Sequence, residues 1–368
     1  ALPLQGGAYR WYKESWGGFW GFQFGWLEWL SWMFEAALYP TLVAIYCVHF
    51  FFPEAGIYTT WCITLSVIWI SIVLNIRGIQ TVGKWSTILA WFQVLPVLWF
   101  IIIGVNHIDL SFLSNLNIPA NTTTLEALTM ALIFGLWNFS GYAGLATAAE
   151  EIEDTPTTYP KALLITLIIS LVMYVVPLII GISVDQNWSN WDEAQFNSAA
   201  LVLGGGAFAW WFMFAAQSSN FGLINSELIV LSRLIQAMSM DGFLPQALNK
   251  LHHKYETPVH SLIMQGILLS IMTFGMGFVD LLVVGTWLSI PTYLIGFAVF
   301  ISLRIQKPDM DRPFKIKGGW LVIIPIVAIP CFIALFIFIN TPKDYLLETI
   351  PLLLSGFAVY FIQKIFSK

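Results

Sequence analysis

Charge is scarce in this chain of 368 residues. Only 10% of its residues are Asp, Glu, Lys or Arg, whereas 58% are hydrophobic, including 18 Trp and 29 Phe. A soluble domain carries about 25% charged residues, so the composition argues against an ordinary soluble fold and for a polytopic membrane protein. Cysteine is equally sparse. Cys47, Cys62 and Cys331 lie in or beside apolar stretches without metal or redox spacing, which leaves packing as their role. No HExxH, GxSxG or Cys/His cluster occurs, so a membrane-embedded enzyme is a remote alternative. No Lys/Arg run interleaved with aromatics is present, and no nucleic acid partner is expected. Nothing implies a cofactor or a metal. The opening residues, ALPLQGGAYRW, have no apolar h-region, so no cleavable signal peptide is expected there.

What the chain does have is long apolar runs. A helix needs about 20 residues to cross a bilayer. Such segments run over 18–50, 57–76, 85–105, 126–148, 160–184, 201–237, 259–278, 280–304, 319–339 and 346–365. That predicts ten crossings. With both termini cytoplasmic, 15 of the 16 Lys and Arg residues fall on the inner side and only Lys343 falls outside, as the positive-inside rule requires. The reading is an all-α integral protein of the plasma membrane, with the lipid bilayer as its first partner. It forms one transmembrane domain over 1–368, in which 1–17 precede the first crossing and 18–365 hold the ten spans.

The stretch from Phe134 to Leu163, FGLWNFSGYAGLATAAEEIEDTPTTYPKAL, is the most informative. It begins as an apolar helix, meets Asn138, Ser140, Gly141 and Gly144 near the expected midplane, and ends in an acidic, proline-marked loop. Unsatisfied backbone groups in hydrocarbon cost several kcal/mol each. A break there survives only if the freed groups face protein, water or a solute, and secondary transporters build substrate sites from such broken helices. The acidic cluster Glu150, Glu151, Glu153 and Asp154 reads as a solvated exit loop, or as an inner gate facing Arg77, Lys84 or Arg304.

Two carboxylates stand out deep in apolar spans. Glu35 sits mid-span after Trp29-Leu30-Ser31-Trp32-Met33-Phe34, and Glu227 follows Asn220, Gly222 and Asn225. Charge at bilayer depth costs a few kcal/mol and usually marks a pathway or a proton site. Both are candidates for proton coupling or for holding a substrate amine. Glu227 could alternatively pair with Arg233, and Glu35 could be a neutral acid bridging helices.

The broken stretch resembles the sixth helix of the amino acid–polyamine–organocation superfamily. Further matches lie in order: Gly6-Gly7-Ala8-Tyr9-Arg10-Trp11, Gly18-Phe19-Trp20-Gly21-Phe22-Gln23, Ala37-Leu38-Tyr39-Pro40, Asp241-Gly242-Phe243-Leu244-Pro245, Thr257-Pro258, and Leu303 to Asp309 with Arg312-Pro313. The branch of plant-type polyamine and amino acid permeases is the most similar. The resemblance implies a five-plus-five inverted-repeat fold and a secondary transporter of amino acids or polyamines, working as a proton symporter or as an antiporter. It also implies that the first family helix and most of the second are missing, because the Gly-Gly-x-Tyr motif that follows them begins here at Gly6. Residues 1–17 would then be the cytoplasmic end of that second helix and its loop. A nonconducting or channel-like fragment is the alternative function.

The site the resemblance implies contains Leu30, Ser31 and Glu35, the gate Trp137, the broken stretch Asn138, Ser140, Gly141, Tyr142 and Ala143, and Asn220 with Glu227. Ala143 stands where plant polyamine permeases carry an Asp. Each charge of a polyamine needs an acceptor once dehydrated, so a neutral or monocationic amino acid becomes at least as good a substrate.

Overall fold

The computed structural model describes residues 8–78, 83–114, 122–141, 155–185, 191, 196–310, 312 and 314–366. Among the described residues ten α-helices follow one another: α1 Ala8–Phe51, α2 Ile57–Ile76, α3 Gly83–Gly104, α4 Thr124–Asn138, α5 Thr155–Val184, α6 Phe196–Met240, α7 Val259–Gly275, α8 Phe278–Gln306, α9 Gly319–Asn340 and α10 Asp344–Phe366. Seven of them are long and apolar enough to cross a membrane, while α4, α7 and the apolar part of α10 are shorter. The ten expected segments thus correspond to the ten helices. α4 ends at Asn138, where a break in the 126–148 span is expected, and residues 142–148 of that span lie outside the described residues.

The reason for helices is solvent. In hydrocarbon a chain must satisfy its backbone within itself, and segments such as GWLVIIPIVAIPCFIALFIFIN offer apolar side chains on every face. Leu321, Ile324, Ile329, Phe332 and Ile339 of α9 project outward, as do Leu164, Ile165, Ile168 and Leu171 of α5. Apolar surface of that extent belongs against lipid; the protein is an integral membrane protein. The core lies between α1, α6 and α8, where Ala36, Ala37, Leu38, Ile224, Leu228, Leu281 and Val284 are buried together. A polar joint adds to it: Asn75 Nδ2 of α2 donates to Asn225 Oδ1 of α6 at 2.8 Å.

α1 and α6 share an unexpected construction. Each breaks at a glycine nine residues in, Gly17 (φ 83°, ψ 175°) and Gly205 (φ 73°, ψ −178°). That backbone region is essentially restricted to glycine. In each case the preceding arm folds back on the helix that follows. A Cβ on Gly25 would stand 2.7 Å from the Tyr9 ring, and one on Gly21 2.9 Å from the Lys13 backbone, so the first arm docks on a groove of small residues. In the second, Phe196 stacks on Phe212 with ring centroids 5.9 Å apart. This matching of two helices, one from each half, is what an inverted repeat produces.

The first arm is also tied down at its far side. Asp241, just past α6, accepts a hydrogen bond from the Tyr9 hydroxyl at 2.5 Å and ion-pairs with Lys13 at 2.8 Å and Arg10 at 3.3 Å. Burial pushes the Asp241 carboxyl up, but the bonds from Lys13 and Tyr9 and the charges of Arg10 and Lys13 outweigh it and hold it below the usual range. On the other flank Glu14 pairs with Lys307, and Trp16 Nε1 donates to Ser302 Oγ at 3.3 Å. The arm therefore spans the ends of α6 and α8.

Candidate functional site

α1, α4 and α8 meet around Glu35. The Ser140 hydroxyl, just beyond the end of α4, lies 2.7 Å from Glu35 Oε1 and 2.8 Å from the Trp137 carbonyl, so its one hydrogen has two acceptors. One turn along α1, the Tyr39 hydroxyl reaches the same Glu35 oxygen at 3.5 Å. One turn the other way, Ser31 Oγ lies 2.7 Å from Ser289 Oγ of α8. Proline shapes both helices here. Pro40 and Pro291 have no N–H, so the carbonyls of Ala36 and Trp287 lose their helical donors next to these side chains.

Glu35, Ser140, Ser31 and Ser289 line a cavity of about 20 Å³ together with Trp137, Thr286 and Tyr293, while Tyr39 stands behind Glu35 outside the lining. That is room for about one water-sized sphere. Trp137 closes one side, its ring edge-on to Phe278 with centroids 5.8 Å apart. No Lys or Arg is among the lining residues. The C-terminal end of α4 adds the partial negative charge of its last carbonyls to the Glu35 carboxylate. Arranged this way, the Glu35 carboxyl and the last carbonyls of α4 present hydrogen-bond acceptors at the cavity.

The expected residues divide accordingly. Ser31, Glu35, Trp137 and Ser140 line the cavity. Glu227 does not, but it is half-buried on α6 and close enough to Glu35 and Tyr39 for its charge to act on both. It makes no ion pair with Arg233, which is exposed. Leu30 packs against the core instead. Asn138 ends α4 exposed, Gly141 turns the chain with φ 84°, and Asn220 lies on α6 away from the cavity. Tyr142, Ala143, Gly144, Glu150, Glu151, Glu153 and Asp154 fall outside the described residues.

Tyr39, Thr286, Ser289 and Tyr293 were not expected from sequence. Tyr39-Pro40 stood within a recognised motif, and a signal for Ser289 existed in the polar run Ser289-Ile-Pro291-Thr292-Tyr293 inside an apolar span. Glu28 was also passed over: it is buried inside α1, although its charge within GWLEWLSW was plain.

The comparisons with known proteins agree with this architecture. The amino acid permease family model matches residues 1–360. A probable polyamine transporter of Arabidopsis thaliana is 29% identical over 343 residues, covering 89% of this chain and 66% of its own length. The polyamine transporter PUT1 of Oryza sativa subsp. japonica is 29% identical over 328 residues, covering 86% and 59%. The large neutral amino acids transporter small subunit 2 of Homo sapiens is 26% identical over 396 residues, covering 98% and 68%. The chain thus spans about two thirds of the length of the curated relatives it matches. With a family model matching nearly end to end, the chain belongs to the amino acid permease family.

Proposed function

We propose that the protein is a secondary transporter that moves an amine-bearing solute, an amino acid or a polyamine, across the plasma membrane, with both chain termini in the cytoplasm. Transport is driven by protons or by exchange. One observation carries the reading: a carboxylate, Glu35, stands in the membrane against the broken end of α4, held there by the Ser140 hydroxyl at 2.7 Å. A substrate ammonium would replace that hydroxyl at Glu35 and meet the freed carbonyls of α4, while Trp137 covers it. A ring above a cation also contributes a cation–π attraction. Glu227 supplies a second negative charge nearby, for a dication or for a coupled proton. The relatives' printed names, polyamine transporters and a large neutral amino acids transporter, support the same substrate range.

The test is uptake by the purified protein in liposomes, with radiolabelled spermidine, putrescine, arginine and leucine. Saturable uptake of at least one is expected. Glu35→Gln should lower uptake of a cationic substrate about tenfold or more, the cost of losing one charge-assisted contact. Absence of saturable uptake of all four would overturn the reading. Because Ala143 takes the place of an acid, amino acids should compete better than spermidine, and Ala143→Asp should move preference towards spermidine.

A further inference from the structure

Glu28 is a third carboxylate within α1, and the substrate site does not use it. The residue is 6% exposed and has no hydrogen-bond or ion-pair partner among the described residues. A carboxyl at such depth is costly. Its position is specific. Glu28, Ser31 and Glu35 stand at i, i+3 and i+7 and so share one stripe of the helix. At about 1.5 Å rise per residue, Ser31 lies roughly 4.5 Å along the axis from Glu28 and roughly 6 Å from Glu35. Between the two acids sits the Ser31–Ser289 hydroxyl pair, 2.7 Å apart, on the wall of the cavity that holds Glu35.

The surroundings leave Glu28 free to take and give a proton. Against this part of α1, the arm presents Tyr9, with Lys13 two turns further on at Gly21, α6 presents Met238, α8 presents Ser289 and Tyr293, and α10 presents Ser355 at Trp26 and Tyr360 at Phe22. Lys13 is engaged with Asp241 at 2.8 Å, and no charged side chain among the described residues acts on Glu28.

We infer that Glu28 is the inner station of a proton relay that runs from Glu35 through the Ser31–Ser289 pair towards the cytoplasm. This rests on the reading of the protein as a transporter, and it specifies proton coupling. Protonated Glu35 gives its proton to the hydroxyl pair and to water beside it. Each hydroxyl accepts one proton and passes on its own, so both serines end unchanged. Glu35 ends as a carboxylate and Glu28 as an acid, which then releases the proton inward.

Liposomes containing the protein separate this from its alternatives, using whichever of spermidine, putrescine, arginine and leucine the parent takes up best. Two rates are read: accumulation driven by an imposed pH gradient, and one-for-one exchange of the same solute at equal pH. Glu28→Gln should lower accumulation at least about tenfold and flatten its pH dependence, as for loss of a proton-transfer group, while exchange continues at the parent's rate. Glu28→Asp should restore accumulation. Accumulation by Glu28→Gln equal to the parent's would overturn the relay, and so would equal loss of exchange and accumulation, the mark of a structural role. A parent that exchanges but ignores the pH gradient overturns it too. A parent that does neither counts against the transporter reading itself.

Discussion

Tyr9 donates its hydroxyl hydrogen to Asp241 across 2.5 Å and thereby ties the arm before Gly17 to the end of α6. The two residues are 232 positions apart. Lys13 and Arg10 bind the same carboxylate oxygen, so one acidic residue gathers three groups of the arm. The arm sits where α6 and α8 end, and those two helices flank the Glu35 site.

Asp241 should therefore make stability depend on pH in a definite direction. Its folded-state pKa is depressed, since the bonds and charges of Tyr9, Lys13 and Arg10 outweigh burial. A depressed carboxyl contributes stability above its unfolded value, about 3.9, and loses it as pH falls through the folded value. Asp241→Asn should cost on the order of 1–3 kcal/mol near neutral pH. The gap in unfolding midpoint between parent and variant, measured in detergent, should shrink as pH approaches about 3. A gap that stays constant would show that the ion pairs contribute nothing.

Ser140→Ala tests the contact between the broken helix and α1. It removes the hydroxyl bonded to Glu35 at 2.7 Å while keeping the carboxyl. If that hydroxyl holds the place of a substrate amine, uptake should survive with a changed KM, whereas Glu35→Gln should abolish or severely reduce uptake of a cationic substrate. Equal loss in both variants would make the Ser140 hydroxyl part of the binding site itself. Initial rates over a range of substrate concentrations distinguish the two outcomes.

Much of this architecture can be read before any coordinates. The ten apolar runs match the ten helices because a bilayer rewards length and apolarity over any finer pattern. The end of α4 at Asn138 was visible in the Asn, Ser and Gly cluster that follows it. The break at Gly205 was not, because apolar residues continue on both sides of it, and Gly17 showed only as the edge of the expected 18–50 span, not as a turn that folds a preceding helical arm back. Glu35 announced itself as a charge in an apolar span. Ser289 showed only as part of a polar run, which by itself points to no site, since serine in a membrane helix ordinarily bonds to its own backbone, as Ser289 also does to the Gly285 carbonyl at 2.9 Å. Only the packing of α1 on α8 reveals its second partner, Ser31.

The paired breaks of α1 and α6 yield the last prediction. Gly17 and Gly205 hold nearly the same backbone conformation, with φ of 83° and 73°, and neither has a neighbour within 4 Å of a Cβ placed on it. Alanine at either position would meet no clash with another residue, so any cost must come from backbone strain, about 1–3 kcal/mol. Gly206 is the control. It too has open space around its Cβ, but its φ is not positive, and alanine there should be neutral or stabilising by up to about 1 kcal/mol. Unfolding midpoints should fall for Gly17→Ala and Gly205→Ala by similar amounts, and hold or rise for Gly206→Ala. The comparison also probes the two halves of the fold. If the two arms are equivalent elements of an inverted repeat, the two losses should match. A loss at Gly17 alone would instead mean that only the arm held by Asp241 contributes to stability, and that the second arm is free to leave its helix.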